Sequence, residues 1–364
     1  MTPTQSEYQT QLDEILQHYR EGTFSFTDAE HLLGIPNTAD VNWDHFFMSV
    51  GKHRFNTLHE AKNLKIYTPG RNFVSVSVTG DQCALHCEHC DDKYLQGMVP
   101  ARSADEFTVA MNTIVDKGGV GALISGGCTK DGKVPILKYA SQIKQFKSEQ
   151  TFYLNSHVGL VNAEEAQKIK ECGIDIVSFD LILDDVAIQD VFHLPNTVKS
   201  YQESYEALKQ AGVQVAPHLL IGARFGQLAK ELDVIKYLMA SPPTLLIMIA
   251  MIPPKIHGQI KPPFQNLAPQ DIARIFFIAR ALMPKTELSY GCMRPKGGEY
   301  QDTERWVILA GASRIEIPSQ KTRKWAEKFG FSSKYFGACC SISEDYEPFA
   351  EAEDVRGHLK NRSK

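Results

Sequence analysis

Three cysteines stand within eight residues, Cys83-Ala84-Leu85-His86-Cys87-Glu88-His89-Cys90, with the spacing Cys-x3-Cys-x2-Cys. They follow an alternating run, Phe73-Val74-Ser75-Val76-Ser77-Val78, that reads as a strand. Three thiolates so spaced on a loop can converge on one [4Fe–4S] cube and leave its fourth iron open to a small chelating molecule. The alternative is a structural zinc site. Zinc knuckles, however, pair one Cys-x2-Cys unit with a second nearby, and none follows here.

The chain carries eight cysteines in all, which in an unsecreted protein point to metal or redox chemistry, not to a disulfide framework. Cys128 and Cys292 end strand-like segments that face one mouth, so both are candidate ligands of a second iron–sulfur cluster, together with Cys339 and Cys340. Adjacent thiols diverge in extended backbone, so one of that pair is expected to bind and the other to pack. The plain alternative is that these four are small buried hydrophobes. Cys172, at a helix end beside Gly173, has no ligand partner in sequence.

The elements that must position these groups alternate from Phe73 onward. Strands are expected at 73–79, 121–125, 151–155, 175–179, 213–219, 245–251, 286–290 and 314–317, with helices between them at 103–117, 162–171, 198–211 and 269–283. Ser103 opens one helix with a capping box, and Asn162 and Gly173 bound another. Eight β/α units imply a TIM-type barrel, closed or nearly closed, with its chemistry on the loops after the strands. An open doubly wound sheet is the runner-up, without the glycine fingerprint it often carries. Residues 1–70 are expected as a helical N-terminal extension, 71–331 as the barrel and 332–364 as a short tail. Because barrel helices end on the face away from the mouth, that tail would have to fold back over the mouth to bring its two cysteines there.

Composition is ordinary for a soluble globular protein, with 43% apolar and 23% charged residues. No apolar stretch reaches bilayer length, and the polar start lacks the plan of a signal peptide, so a cytoplasmic protein without a membrane span is expected. A formal charge of −4, with no long basic run before the tail from His358, argues against nucleic acid as a partner.

The cysteine triad resembles the signature of the radical S-adenosylmethionine (SAM) enzymes, which cleave SAM reductively to a 5′-deoxyadenosyl radical. The resemblance implies a [4Fe–4S] cluster on Cys83, Cys87 and Cys90, SAM on its open iron, and His89 packed on the adenine. Ser125-Gly126-Gly127-Cys128 stands where that family has Gly-Gly-Glu around the methionyl amine, with cysteine in place of the acid. Asn155 and His157 fall near the methionyl carboxylate or ribose, and Asp180 either orients the ribose or caps the following loop. His218-Leu219-Leu220-Ile221-Gly222 resembles the Ile-Val-Gly-Leu-Gly stretch of biotin synthase. His157 and His218 could equally be hydrogen-bonded interior histidines. Arg294 either binds a carboxylate or cluster, or is a surface ion-pair partner.

From about Phe73 to Phe331 the similarity is to the biotin synthase-like branch. Cys-Ala-Leu-His-Cys-Glu-His-Cys, Lys93-Tyr94-Leu95, Ser-Gly-Gly-Cys, Gly291-Cys292-Met293-Arg294-Pro295 and the late Cys339-Cys340 resemble biotin synthase homologues that act in two-protein lipoyl synthases. That resemblance implies sulfur insertion into an octanoyl group on a carrier protein, with a second cluster as sulfur donor. It also implies a second radical SAM enzyme as partner and an electron donor such as ferredoxin or flavodoxin. The extension or the Cys339 tail would provide the docking surface. The sequence assigns no catalytic residue beyond the cofactor ligands. Two rivals stand beside this reading: a radical SAM lyase or methylase without sulfur insertion, and an iron–sulfur carrier or regulator.

Overall fold

The computed structural model describes residues 5–38, 41–90 and 92–360. The first residues of the polar start, 1–4, and the end of the basic tail, 361–364, lie outside them. Strands run β1 Asn63–Tyr67, β2 Phe73–Ser77, β3 Val99–Pro100, β4 Gly121–Ser125, β5 Tyr153–Ser156, β6 Ile176–Asp180, β7 Val215–Ile221 and β8 Leu245–Ala250. A small hairpin, β9 Lys255–Ile256 and β10 Gln259–Ile260, precedes β11 Glu287–Tyr290, β12 Arg314–Glu316, β13 Ser332–Phe336 and β14 Glu351–Ala352. Twelve of them form one curled sheet in the order β14-β13-β1-β12-β11-β8-β7-β6-β5-β4-β2-β3, parallel throughout except for β13 against β14.

Each parallel crossover needs a helix, and the sequence supplies amphipathic ones. They are α4 Ala104–Asp116, α5 Ala140–Glu149, α6 Ala163–Cys172, α7 Val198–Gln210, α8 Glu231–Met239, α9 Pro269–Leu282, α10 Thr303–Ala310 and α11 Gln320–Lys328, numbered after the N-terminal α1 Gln5–Glu21, α2 Phe26–Gly34 and α3 Trp43–Lys52. In α6 the Asn162 side chain and Glu165 cap each other reciprocally, and Gly173 ends the helix in the left-handed region at φ 89°. Central strands such as β8, Leu245-Leu246-Ile247-Met248-Ile249-Ala250, are buried along their whole length, as a parallel sheet covered on both faces requires.

Two strands depart from the expected plan. Residues 63–67, expected within the helical extension, form β1, which lies between β12 and β13. Residues 332–336, expected in the tail, form β13, which pairs with β1 over five residues. The tail therefore does not fold back to the mouth. It leaves the C-terminal end of one more parallel strand, which delivers Cys339 and Cys340 there directly.

Edge strands β3 and β14 do not pair with each other, and the segment after β13 spans the gap from inside. Its Ser341 hydroxyl accepts from Asn155 Nδ2 of β5 at 2.8 Å, and its Ser343 N–H donates to Tyr153 Oη at 2.9 Å. On the opposite wall Arg314 of β12 donates to the carbonyls of Cys340 and Ile342 at 3.0 and 2.7 Å. The N-terminal helices bury their aromatic faces against α9 and α10. Phe46 and Tyr19 meet Phe277 edge-on at 5.3 and 4.9 Å, and Phe47 stacks on Trp306. No helix among the described residues is long and apolar enough to cross a membrane.

Candidate active site and second thiol group

The first three cysteines occupy the loop after β2, at the C-terminal rim of the sheet. That loop rests on the segment after β6: Glu88 N–H donates to Val191 O at 2.9 Å, and Cys87 Sγ lies 3.4 Å from Phe192 O. Glu88 is held in turn by His193 at 3.2 Å and by Lys261, just beyond the β9–β10 hairpin. The loop after β4 comes close on the other side. Cys128 N–H donates to Cys83 Sγ at 3.3 Å, Gly127 N–H to Thr79 Oγ1 at 2.7 Å, and Ala84 N–H to Cys128 O at 2.8 Å.

Gly127 is required by this approach. A Cβ there would lie 2.0 Å from Gln82 O and 2.6 Å from Cys83 Cα, both backbone atoms that cannot yield cheaply. Gly127→Ala should therefore push the two loops apart, at the roughly 1–3 kcal/mol typical of overpacking. Iron retained after anaerobic reconstitution should fall while far-UV circular dichroism stays unchanged. Gly97→Ala is the control, since a Cβ there meets nothing within 4 Å.

The donor set suits a metal cluster. Burial first, then Cys83, Cys128 and Cys90, push the Cys87 thiol well above its ordinary range. Burial also raises Cys90. Thiolates crowded this way repel one another unless cationic iron stands among them. His89 is half-buried, its ring held neutral by burial that pulls it down to about 4. Its Nδ1 is buried with no hydrogen-bond partner among the described residues. One face of the ring meets Phe192 edge-on at 5.1 Å. An orphaned polar atom on an aromatic ring beside the triad fits a heteroaromatic ligand such as adenine.

Asp180, exposed at the end of β6, raises His89, His157 and His218 against the burial that lowers all three. His157 Nδ1 lies 3.3 Å from Ser125 Oγ, and its ring meets His218 at 5.9 Å. One carboxylate, three imidazoles and the Gly126–Cys128 backbone thus converge beside the triad. Asn155 is fully engaged deeper in the barrel, between Ser178 Oγ at 3.0 Å and Ser341 Oγ at 2.8 Å. Gly222, at φ 78°, turns the chain after β7 and donates its N–H to Glu231.

Of the four cysteines grouped above for a second cluster, the structure brings Cys339 and Cys340 together, leaves Cys292 exposed on a neighbouring loop and moves Cys128 away. Cys128 lies with the first triad, because β4 neighbours β2 whereas β11, β12 and β13 lie on the other arm of the curl. Cys339 and Cys340 meet Glu316, at the end of β12, with the three ligand atoms within 4.8 Å of one another. Both thiols of the adjacent pair face one way because residues 337–340 bend instead of running extended. Cys292, exposed on the loop after β11, feels the same carboxylate: Glu316 first, with Cys339 adding to it, pushes its thiol up. The Tyr94 phenol is raised to about 12 by burial, then by Cys90 and Cys292.

Arg294 is neither exposed nor directed at the thiols. It is 2% exposed, pairs with Glu304 at 2.8 Å and donates to the carbonyls of Gly291 and Glu316, tying the Cys292 loop to β12. Cys172 is buried against Ile169 O and is far from both groups in role, as a helix-end thiol. Glu316 was not singled out from sequence. The available signal was an acid at the C-terminal end of a barrel strand, where chemistry collects.

Residues 77–227 match the family model of the Radical SAM superfamily, so the chain carries a radical SAM domain built around the cysteine loop. That family implies a [4Fe–4S] cluster and SAM, and the donor set just described fits both. Among curated proteins the chain is 24% identical over 276 residues to the biotin synthase of Buchnera aphidicola subsp. Acyrthosiphon pisum (strain APS), covering 72% of this chain and 77% of that one. It is 21% identical over 303 residues to the biotin synthase of Marinobacter nauticus, covering 76% and 81%. The fold is similar to that of the FeFe-hydrogenase maturase HydG from Carboxydothermus hydrogenoformans, with a TM-score of 0.66 at 15% identity over 94% of this chain and 83% of that one. It is also similar to methylornithine synthase (PylB), with a TM-score of 0.57 at 13% identity over 88% and 97%.

Proposed function

We propose that this radical SAM enzyme inserts sulfur into an unactivated C–H bond of a protein-bound octanoyl group, as one member of a two-protein lipoyl synthase. The observation that supports sulfur insertion is the second thiol group, Cys339 and Cys340 together beside Glu316, with Cys292 on the neighbouring loop after β11. When bound, the first cluster and SAM supply a hydrogen-abstracting radical, and a second iron–sulfur centre supplies the sulfur.

The chain's own part is to hold and exclude. Cys83, Cys87 and Cys90 hold the first cluster, while Gly127, Thr79 and the Cys128 N–H fix the loop that carries it. Asp180 and the half-buried histidines offer hydrogen bonds to the ribose and carboxylate of SAM. The inner tail bridges Asn155 and Tyr153 of β5 to Arg314 of β12 and so fills part of the barrel interior. An octanoyl chain is long and flexible enough to enter that mouth with its carrier outside. The apolar faces of α1–α3 are already buried on α9 and α10, and the Cys339 segment is inside, which leaves the mouth loops for docking. A ferredoxin- or flavodoxin-class protein would deliver the electron.

The test is anaerobic incubation with reductant, SAM, an octanoylated carrier domain and a candidate partner enzyme, followed by mass spectrometry of the modified lysine. Gain of sulfur dependent on Cys83 is the expected result. Sulfur transfer to dethiobiotin, or SAM cleavage with no sulfur gained by any acyl carrier, would sink the proposal.

A further inference from the structure

We infer that Glu316 is a metal ligand, completing with Cys292, Cys339 and Cys340 a mixed thiolate–carboxylate site for an iron–sulfur centre, from which Cys128 is excluded. The inference deepens the second-centre part of the function proposed above and rests on it.

The first argument is geometric. Glu316, Cys339 and Cys340 are the one group of three ligand-type side chains among the described residues whose donor atoms all lie within 4.8 Å of one another. They come from the end of β12 and the segment just after β13, the two strands that flank β1. The carboxylate Oε2 lies 3.5 Å from Cys340 N and 4.0 Å from Cys339 Sγ, contacts too long to satisfy a buried anion.

A second, independent argument is the missing counter-charge. Glu316 is 4% exposed, yet among the described residues no lysine, arginine or histidine lies within ion-pair distance of it. Every other buried glutamate has compensation. Glu347 pairs with Lys65 and Arg314, and Glu304 pairs with Arg294. Glu231, which lacks an ion pair, accepts the N–H groups of Gly222 and Ala229 at 2.8 and 2.7 Å. Arg294, the nearest guanidinium, points its donors at Glu304 and at backbone carbonyls, the Glu316 carbonyl among them. A buried acid stays ionised only when it is paired, hydrogen-bonded or bound to a cation, and is otherwise protonated. Two sulfurs and one carboxylate without an ion pair, all within 4.8 Å of one another, are a ligand set wanting a metal, and Cys292, on the loop that Arg294 ties to the Glu316 carbonyl, is the third thiol to hand. Softness divides the roles: the thiolates anchor iron, and the harder oxygen is the exchangeable ligand.

The experiment uses the full chain with Cys83, Cys87 and Cys90 replaced by alanine, so that only the second site is read. The probe is Co2+ alone, added anaerobically and followed by thiolate-to-cobalt charge transfer and by the visible bands of tetrahedral cobalt. Glu316→Gln should weaken binding about tenfold or more, the least expected when a ligand and not merely its support is lost. Glu316→Cys should restore affinity with stronger charge transfer, which a purely structural glutamate would not do, and Cys128→Ala should titrate like the parent. Iron and sulfide bound after reconstitution should follow the same order. Unchanged binding in Glu316→Gln, failure of Glu316→Cys to restore it, or loss of binding in Cys128→Ala would overturn the assignment. Because cobalt binding needs no turnover, a Glu316-dependent site in an enzyme that inserts no sulfur would uphold this inference and remove only the proposed reaction.

Discussion

Replacing Cys83, Cys87 and Cys90 together by alanine is expected to abolish formation of 5′-deoxyadenosine from SAM and reductant, while the fold and the second thiol group remain. Beside β2 no other described residues supply three soft ligands, since Cys292, Cys339 and Cys340 lie on the other arm of the curl. Cys128 adds a fourth sulfur there, yet its N–H already donates to Cys83 Sγ, and a single remaining thiol does not hold a cube. All three residues are only partly buried, so removing their sulfurs leaves no large cavity. The free thiols add a pH signature. Cys87 is raised by burial, then by Cys83, Cys128 and Cys90, so it is protonated at neutral pH and must release its proton to bind iron. Cluster assembly should thus release protons and speed up as pH rises. Cleavage of SAM at the wild-type rate by the triple variant would refute the assignment of the radical centre.

Arg314→Met is expected to destabilise the protein by about 3–5 kcal/mol, the usual cost of removing one partner from a buried charge pair. Its guanidinium, 2% exposed, pairs with Glu287 at 2.6 Å and Glu347 at 3.0 Å while donating to the carbonyls of Cys340 and Ile342. Methionine fills similar space, takes the donor away from the Cys340 and Ile342 carbonyls, and leaves Glu287 and Glu347 to share Lys65. The acid response should change as well. Burial pushes Glu287 up, but Arg314 and then Lys65 outweigh it and hold its carboxyl below the ordinary value. A depressed folded pKa contributes stability that is full above the unfolded value, about 4.3, and is lost as pH falls through the folded one. The variant should therefore show a flatter loss of stability in acid than the parent. Denaturant midpoints measured across that range would check both effects, and an unchanged midpoint at neutral pH would contradict the first.

The β/α body was legible because its signals are local. Strand 121–125 and the helix from Asn162 to Gly173 announce themselves by apolar pattern and caps, and the structure has both. β1 and β13 were not, since Asn63-Leu64-Lys65-Ile66-Tyr67 and Ser332-Ser333-Lys334-Tyr335-Phe336 are half polar and short. What makes them strands is each other, together with acids elsewhere that receive Lys65. The triad could be read from spacing, and Gly126-Gly127 only from its resemblance to the family's Gly-Gly-Glu. Cys128 was grouped with Cys292 because both follow strands, and sequence does not reveal which strands are neighbours. Glu316 looked like any strand-end acid until Cys339 and Cys340 were seen beside it.

The pairing of β13 with β1 also orders events in time. Residues 332–336 dock on 63–67 across nearly the whole length of the chain, the kind of distant contact that forms late. During synthesis the Cys83–Cys90 loop and the strands around it emerge and can pack long before the final strand exists. Cys339 and Cys340 reach Cys292 and Glu316 only once that strand has slotted in beside the first. The fold thus keeps the second thiol group apart until the barrel is otherwise built, so that the Cys83–Cys90 loop can take its form before the second thiol group has been assembled.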